Sequence, residues 1–213
     1  GEVDLLVRNS PWTFSRDTDL KLDFVAVNYY DGQGFMVNKS LGVSSAKELD
    51  GATICIQTGT TTELNLADYF KTIQDDAEGQ RQFLAGACDA YTTDASGLAA
   101  LRATLPNPAD YVILPEIISK EPLGPVVRHG DSNWGDVVRW TYFALLIAEE
   151  KGITQANIDE IVGKAEADPA FDPEVKRLLG IGDENDVGKL MGVDGKWAYN
   201  AIKAVGNYGE VFE

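Results

Sequence analysis

The sequence predicts an α/β fold built on parallel strands. Three observations carry this reading: strand-like and helix-like segments alternate, glycine-bearing turns separate them, and the composition is that of a folded protein. Of the 213 residues, 44% are hydrophobic and 24% charged, which excludes wholesale disorder. That length accommodates one large domain or two small ones.

Residues 1–7 (GEVDLLV) end in an apolar run suited to a buried strand. Residues 22–27 alternate and lead into Asn28-Tyr29-Tyr30-Asp31-Gly32-Gln33-Gly34, a glycine-punctuated turn, and residues 34–37 resume as strand. Residues 45–49 form a short helical turn with Ser45 placed as its cap. Gly51 precedes an apolar strand over 53–57, and the turn Thr58-Gly59-Thr60-Thr61-Thr62-Glu63 then opens a helix that runs through Phe70. Residues 74–85 read as a helix, acidic at its start and ending at Gly86. A strand over 88–92 delivers Thr93-Asp94-Ala95-Ser96 at its carboxyl end, ahead of a helix over 95–103. Residues 110–114 form a strand, 122–125 a Pro-Leu-Gly-Pro turn, 126–128 a short strand and 133–150 a long amphipathic helix. From Thr154 the pattern is helical with breaks at Pro169 and Pro173, and Trp197, Tyr199, Ile202, Val205 and Phe212 anchor the tail. There is no internal repeat.

Thirty-four acidic residues face eighteen basic ones, a net charge of −16 that repels phosphate backbones and anionic lipid. A nucleic-acid partner is therefore not expected. The longest apolar run, residues 140–148, falls well short of the roughly 18 residues a membrane span needs. No signal-peptide pattern opens the chain, which leaves a cytosolic, a processed or a fragmentary chain.

Two motifs point to chemistry. A strand, a tight glycine turn and a helix start at 57–63 present free backbone N–H groups and the hydroxyls of Thr60, Thr61 and Thr62 to an anion. It is not a nucleotide P-loop, whose glycine spacing and Lys-Ser/Thr ending are missing, and an ordinary threonine-capped helix explains it equally well. Asp94 lies at a strand's carboxyl end, where ligands gather in parallel sheets, but it is equally suited to capping the helix behind it. Cys55 and Cys88 cannot make a zinc site with His129 as the sole histidine. They read as small buried hydrophobes or as a cross-strand disulfide, and least well as a catalytic thiol. His129 reads as an exposed residue without special role. No metal and no cofactor is expected.

The stretches NSPWTFSRD, YYDGQGFMV, ICIQTGTTTELNLADYF, GACDAYTTDASGLAALRA and VILPEIISKEPLGPVVRHGDSNW, with the tail from DPEVKRLLG to KWAYNAIKAVGNYGEVFE, cover nearly the whole chain. Together they resemble the general L-amino-acid-binding proteins of bacterial ABC transporters, within solute-binding protein family 3. The resemblance implies a two-lobed periplasmic binding protein fold of type II, with residues 1–36 and 120–213 in lobe one, a helical tail included, and 37–119 in lobe two. Hinge strands would lie near 31–35 and 120–126. It further implies a periplasmic receptor, its signal peptide removed, that closes on one L-amino acid of polar type, such as glutamate, glutamine or aspartate, and delivers it to a membrane permease. Such proteins are monomers, with self-association expected only if lobe one is incomplete.

By the same resemblance Arg16 clamps the α-carboxylate with its planar fork, Thr13 beside it. Thr60, with the backbone of the turn Gln57-Thr58-Gly59-Thr60-Thr61, adds a second hold, and Asp94 takes the α-ammonium, with Asn9 and Thr93 completing the ligand set. The family carries cysteines at positions 55 and 88, which implies a disulfide between them. The resemblance also has departures. The chain opens well inside lobe one, so that lobe's N-terminal strands are expected to be missing. A second shortening falls between Phe70 and Gly79, and Pro11 stands where relatives have a hydroxyl-bearing or small residue. Two other readings remain: a shortened relative without ligand, or an enzyme, since the fold also hosts an amino-acid-forming dehydratase. That chemistry needs a general acid, and neither Glu116 nor Glu121, the carboxylates nearest the hinge, stands in a catalytic motif. No catalytic residue is assigned.

Overall fold

A computed structural model describes residues 2–69 and 79–212. In chain order the strands are β1 (Leu5–Leu6), β2 (Leu22–Phe24), β3 (Tyr29–Asp31), β4 (Gln33–Asn38), β5 (Ile54–Cys55), β6 (Ala90–Asp94), β7 (Tyr111–Ile113), β8 (Glu121–Leu123) and β9 (Val126–Arg128). The helices are α1 (Phe14–Thr18), α2 (Thr61–Tyr69), α3 (Gly79–Leu84), α4 (Ala95–Thr104), α5 (Ser132–Glu150), α6 (Ile158–Ala167), α7 (Pro173–Leu179) and α8 (Trp197–Val205). The first part of the helix expected over 74–85, and the shortening expected between Phe70 and Gly79, lie outside the described residues.

The chain divides into two units. The first comprises Gly1–Leu6, Phe14–Ala26 and Pro125–Glu213, and the second Val7–Thr13 and Val27–Gly124. In the first unit β9 is flanked by β1 and β2, both antiparallel to it. The unit is otherwise helical, and its core gathers Ala144, Ala148, Ile153, Ile158, Leu179 and Ile202 from α5 to α8 and their connections. Local signals set these helices. Asp131 caps α5, accepting from the Trp134 N–H at 3.1 Å. Asp172 caps α7 through the Glu174 N–H at 2.8 Å, with Pro173 following where its missing N–H is no loss.

The second unit holds a four-stranded sheet in the order β5-β6-β4-β7 and a separate ribbon of β3 with β8. Period-two alternation gives the sheet two buried faces. Phe35, Val37 and Ala90 pack with Leu49, Ile56, Leu66 and Leu114 on one side. Met36 and Tyr91 pack with Cys55, Phe83 and Leu98 on the other.

Three expectations are corrected here. The strands are mostly antiparallel: β5 with β6 is the one parallel pair among the described strands, because β4 inserts between β6 and β7 running against both. Residues 29–31 and 121–123 are strands and not turns. They pair with each other over Tyr29–Leu123, Tyr30–Pro122 and Asp31–Glu121, so the ribbon supplies the hydrogen bonds that their sequences do not advertise. Pro122 is tolerated because a two-stranded ribbon leaves edge positions that need no N–H donor. The opening segment is not a buried strand either: β1 spans two residues, and Leu5 and Leu6 are 37% and 38% exposed. Among the described strands it pairs only with β9, at the edge of its sheet.

Candidate functional site

β6 ends on Asp94 and α4 starts at the next residue. Asp94 thus occupies the N-cap position, with φ −53° and ψ 137°, yet its side chain makes no bond to the helix. The capping role open to it in the sequence is not taken. Its carboxyl group is buried instead, at 6% exposure, with the buried Asp31 and Glu121 close by. Burial pushes the Asp94 carboxyl up to about 7, helped by the negative charges of Glu121 and Asp31 and by a hydrogen bond shared with Glu121. A hydrogen bond from Asn9 opposes the shift.

The neighbours are held by their own donors. Asp31 accepts from the Gly32 N–H at 2.8 Å and from the backbone N–H and hydroxyl of Ser96, the first at 3.3 Å. Glu121 Oε1 accepts from Asn65 Nδ2 at 3.0 Å and from Ser119 Oγ at 2.8 Å. Glu121 Oε2 has no donor among the described residues. Asp31 and Glu121 are also direct partners across the β3–β8 ribbon, and like charges placed directly opposite destabilise a strand pair. Three buried carboxyl groups together favour occupation by a cation, either a proton or an ammonium.

The start of α2 is organised differently. Thr60 Oγ1 donates to the Gln57 carbonyl at 2.7 Å, so the 2.6 Å contact between the Thr60 and Thr62 hydroxyls must use the proton of Thr62. Thr60 Oγ1 also accepts weakly from the Glu63 N–H, as a helix cap does. Glu63 reaches back to the Gly59 N–H at 2.8 Å. The Thr60 hydroxyl proton is therefore committed, as is that of Thr62, and what this turn can offer an anion is backbone N–H and the Thr61 hydroxyl. Thr61 is the first residue of the helix, half-buried, while Gln57 is exposed.

Around the start of α4 the fold brings together Asn9, Thr93 and Asp94. A Cβ on Gly97 would lie 3.5 Å from Thr93 Cγ2 and 3.7 Å from Asn9 Nδ2. Thr13 belongs to the same unit, and Arg16, half-buried on α1, to the other.

No family model matches the chain. Among curated proteins it is 70% identical, over all of its length, to the glutamate/glutamine/aspartate/asparagine-binding protein BztA of Rhodobacter capsulatus. It is 55% identical to the general L-amino acid-binding periplasmic protein AapJ of Rhizobium johnstonii. The chain spans 64% and 63% of the lengths of these two relatives. Among solved structures it resembles an ABC transporter periplasmic binding protein from Brucella ovis with glutathione bound: 53% identity, TM-score 0.91, covering 100% of this chain and 68% of that one. The chain belongs to the periplasmic binding proteins of ABC transporters. The fold class of this family, α/β and two-lobed, is the one the sequence resemblance implied. These relatives are named as binding proteins and not as enzymes.

Within this periplasmic binding protein, Cys55 and Cys88 form a disulfide, their Cα atoms 5.8 Å apart, that staples β5 to the segment leading into β6. Glu116, one of the two carboxylates weighed for catalysis, is a structural cap. It accepts from Ser45 Oγ at 2.5 Å and the Ala46 N–H at 2.9 Å, and these bonds hold it below the usual carboxylate range. Among the described residues no cluster of His, Cys, Asp or Glu is arranged to hold a metal ion. His129 does have a partner: Nδ1 lies 2.9 Å from Asp23 Oδ1 in an exposed pair.

Sequence reasoning missed Asp31 and Gln33 and saw Glu121 only as a hinge carboxylate. The available signal was the run Asp31-Gly32-Gln33, two polar side chains flanking a glycine that has no room for a Cβ. A Cβ there would stand 2.3 Å from Ile117 Cγ2 and 2.4 Å from the Ser119 carbonyl oxygen.

Proposed function

We propose that this chain is an extracytoplasmic receptor that binds one L-amino acid by its zwitterionic head and passes it to an ABC transporter permease. The observation that carries the proposal is the buried carboxyl cluster at Asp94, whose charge calls for an ammonium. Asp94 takes the α-ammonium, with Asn9 and Thr93 beside it. Arg16, with Thr13, takes the α-carboxylate, and Thr60 and Thr61 add a second hold on it through backbone N–H groups, Gln57 shaping that turn. Residues 1–36 with 120–213 and residues 37–119 are the two lobes in this reading, and the working form is a monomer.

Polar side chains are the preferred cargo, in line with the ligands for which the 70%-identical relative is named. The disulfide supports an oxidising compartment, the periplasm. A second ligand class deserves the same test: glutathione, present in the Brucella ovis structure, carries a free amino-acid head on its γ-glutamyl end.

The test is calorimetric titration of the chain with a panel of L-amino acids and glutathione. Saturable one-site binding is expected, weakened by about 3–5 kcal/mol in Asp94→Asn because the ammonium loses its buried partner. Arg16→Lys should also bind far more weakly, since an ammonium cannot reproduce the guanidinium fork. Wild-type affinity in either variant removes that residue from the site, and silence across the panel from a folded chain overturns the function.

A further inference from the structure

The two oxygens near Asp94 that lack donors are not equivalent accidents. Gln33 is fully buried, and its Oε1 finds no donor among the described residues. Its amide orientation is dictated by a chain of bonds. Thr92 Oγ1 spends its single proton on the Gly34 carbonyl at 2.7 Å, so it can only accept from Gln33, whose Nε2 stands 2.9 Å away. The NH2 end of the amide is thereby fixed and Oε1 is left over. Gln33 pairs directly with Asp94 across β4 and β6, which puts both side chains on one face of the sheet. Glu121 Oε2 is the other orphan, buried on the residue that shares a hydrogen bond with Asp94. Ser119 ties the two residues together, accepting from the Gln33 N–H at 2.9 Å and donating to Glu121 Oε1 at 2.8 Å.

We propose that Asp94, Glu121 Oε2 and Gln33 Oε1 form a three-acceptor cup for the ligand's primary ammonium, and that in the ligand-free protein a proton shared by Asp94 and Glu121 takes its place. The proposal rests on the reading of Asp94 as the ammonium site and extends it to two residues and a proton. A primary ammonium brings three N–H donors, one for each acceptor, and two carboxylates can hydrogen-bond each other only when one is protonated. Binding then exchanges cations: the ammonium enters with its three protons, the shared proton leaves to solvent, and the net charge of the site is unchanged.

The titratable groups coupled to Asp94 are Glu121 on β8, Asp31 on β3 and, on β6 itself, Tyr91, which burial pushes up and the charge of Asp94 pushes further. Lys120, next in sequence to Glu121, holds its Nζ over the Tyr30 ring, 5.5 Å from its centre.

Two readouts test this. The first is infrared titration of carboxyl protonation in the ligand-free chain. A carboxyl protonating near neutral pH is expected in the wild type, moved to lower pH in Glu121→Gln, which removes the like charge and keeps the Oε1 acceptor. The second is calorimetry with L-glutamate at pH 6 in buffers of different ionisation enthalpy. The wild type should release about one proton per ligand, Glu121→Gln markedly less. Gln33→Met should weaken binding about tenfold or more while leaving the proton count unchanged. No carboxyl protonating near neutrality in the wild type, or an unmoved titration in Glu121→Gln, overturns the shared proton. Binding without proton release does the same and leaves the proposed function standing. A neutral-pH carboxyl titration in a chain that binds no amine overturns the ammonium cup and the proposed function but not the shared proton. Unchanged affinity in Gln33→Met removes Gln33 from the cup.

Discussion

At the scale of single residues, burying a carboxylate against two others works against the fold, and for Asp94 the sign of that effect can be worked out. Its pKa rises from the ordinary 3.8 to about 7, so the folded chain holds a proton that the unfolded chain has already released between those values. The ligand-free protein is therefore least penalised below about pH 4 and loses stability as the pH climbs to about 7, a penalty on the order of 4 kcal/mol at full extent. Asparagine carries no such charge. Asp94→Asn should accordingly unfold at higher denaturant concentration than the wild type at pH 8, with the gap narrowing as the pH falls and closing only near pH 4, while losing the proposed ligand. Equal or lower stability of the variant at pH 8 would show that the carboxylate is solvated there. A residue that lowers the stability of its own fold marks function better than one that caps a helix, and Glu116, satisfied by Ser45 and Ala46, shows the contrast.

At the scale of elements, the short strand β5 owes its place to covalent help. It contributes two residues to its sheet and, among the described strands, pairs with β6 alone. The Cys55–Cys88 bridge closes a sequence separation of 33 residues, and removing that constraint from the unfolded chain costs about 3–4 kcal/mol. Cys88→Ser should lower stability by roughly that amount in denaturant titration, and reductant should bring the wild type down to meet it. A wild-type midpoint insensitive to reductant would remove the bridge from the stability of this unit. The β3–β8 ribbon has a different liability. Gly32 lets the chain pass tightly by Ser119, and Ser119 in turn positions Gln33 and Glu121, so backbone packing and the acceptors of the site are set by one close approach.

At the scale of the whole molecule, each unit has its own apolar core, and the two should respond separately to core damage. Ile202 is fully buried in the helical unit. Ile202→Ala should cost about 2–5 kcal/mol, with hydrogen exchange speeding first in the amides of residues 125–213. Equal acceleration over residues 27–124 would mean that the units open together. Net charge also acts at this scale. At −16 the protein repels other polyanions, so an anionic side chain on the proposed cargo would have to be accepted locally, against the general field.

Much of this was legible in the sequence. Alternating strand and helix signals marked an α/β protein, the glycine turns marked strand ends, and Asp94 stood out because it follows a strand directly. The resemblance paired Cys55 with Cys88, and the helices from Asn133 onward could be read from their period and caps, because those signals are local. Strand direction could not be read, because alternation tells which face of a strand is buried but not which strand lies beside it or which way that strand runs. The turns expected at 28–34 and 122–125 were partly strands for the same reason, their pairing partners being remote in sequence. The site divides along the same line. The sequence by itself determined which side chains have the chemistry to hold a carboxylate or an ammonium, and the resemblance implied which of them would bind a zwitterion. Only the tertiary structure decided that Asp31, Gln33 and Glu121 join Asp94, that Asp94 declines its helix cap and that Thr60 spends its hydroxyl on Gln57. Desolvation and hydrogen-bond satisfaction depend on which atoms fill the space around a group, and folding alone sets those neighbours.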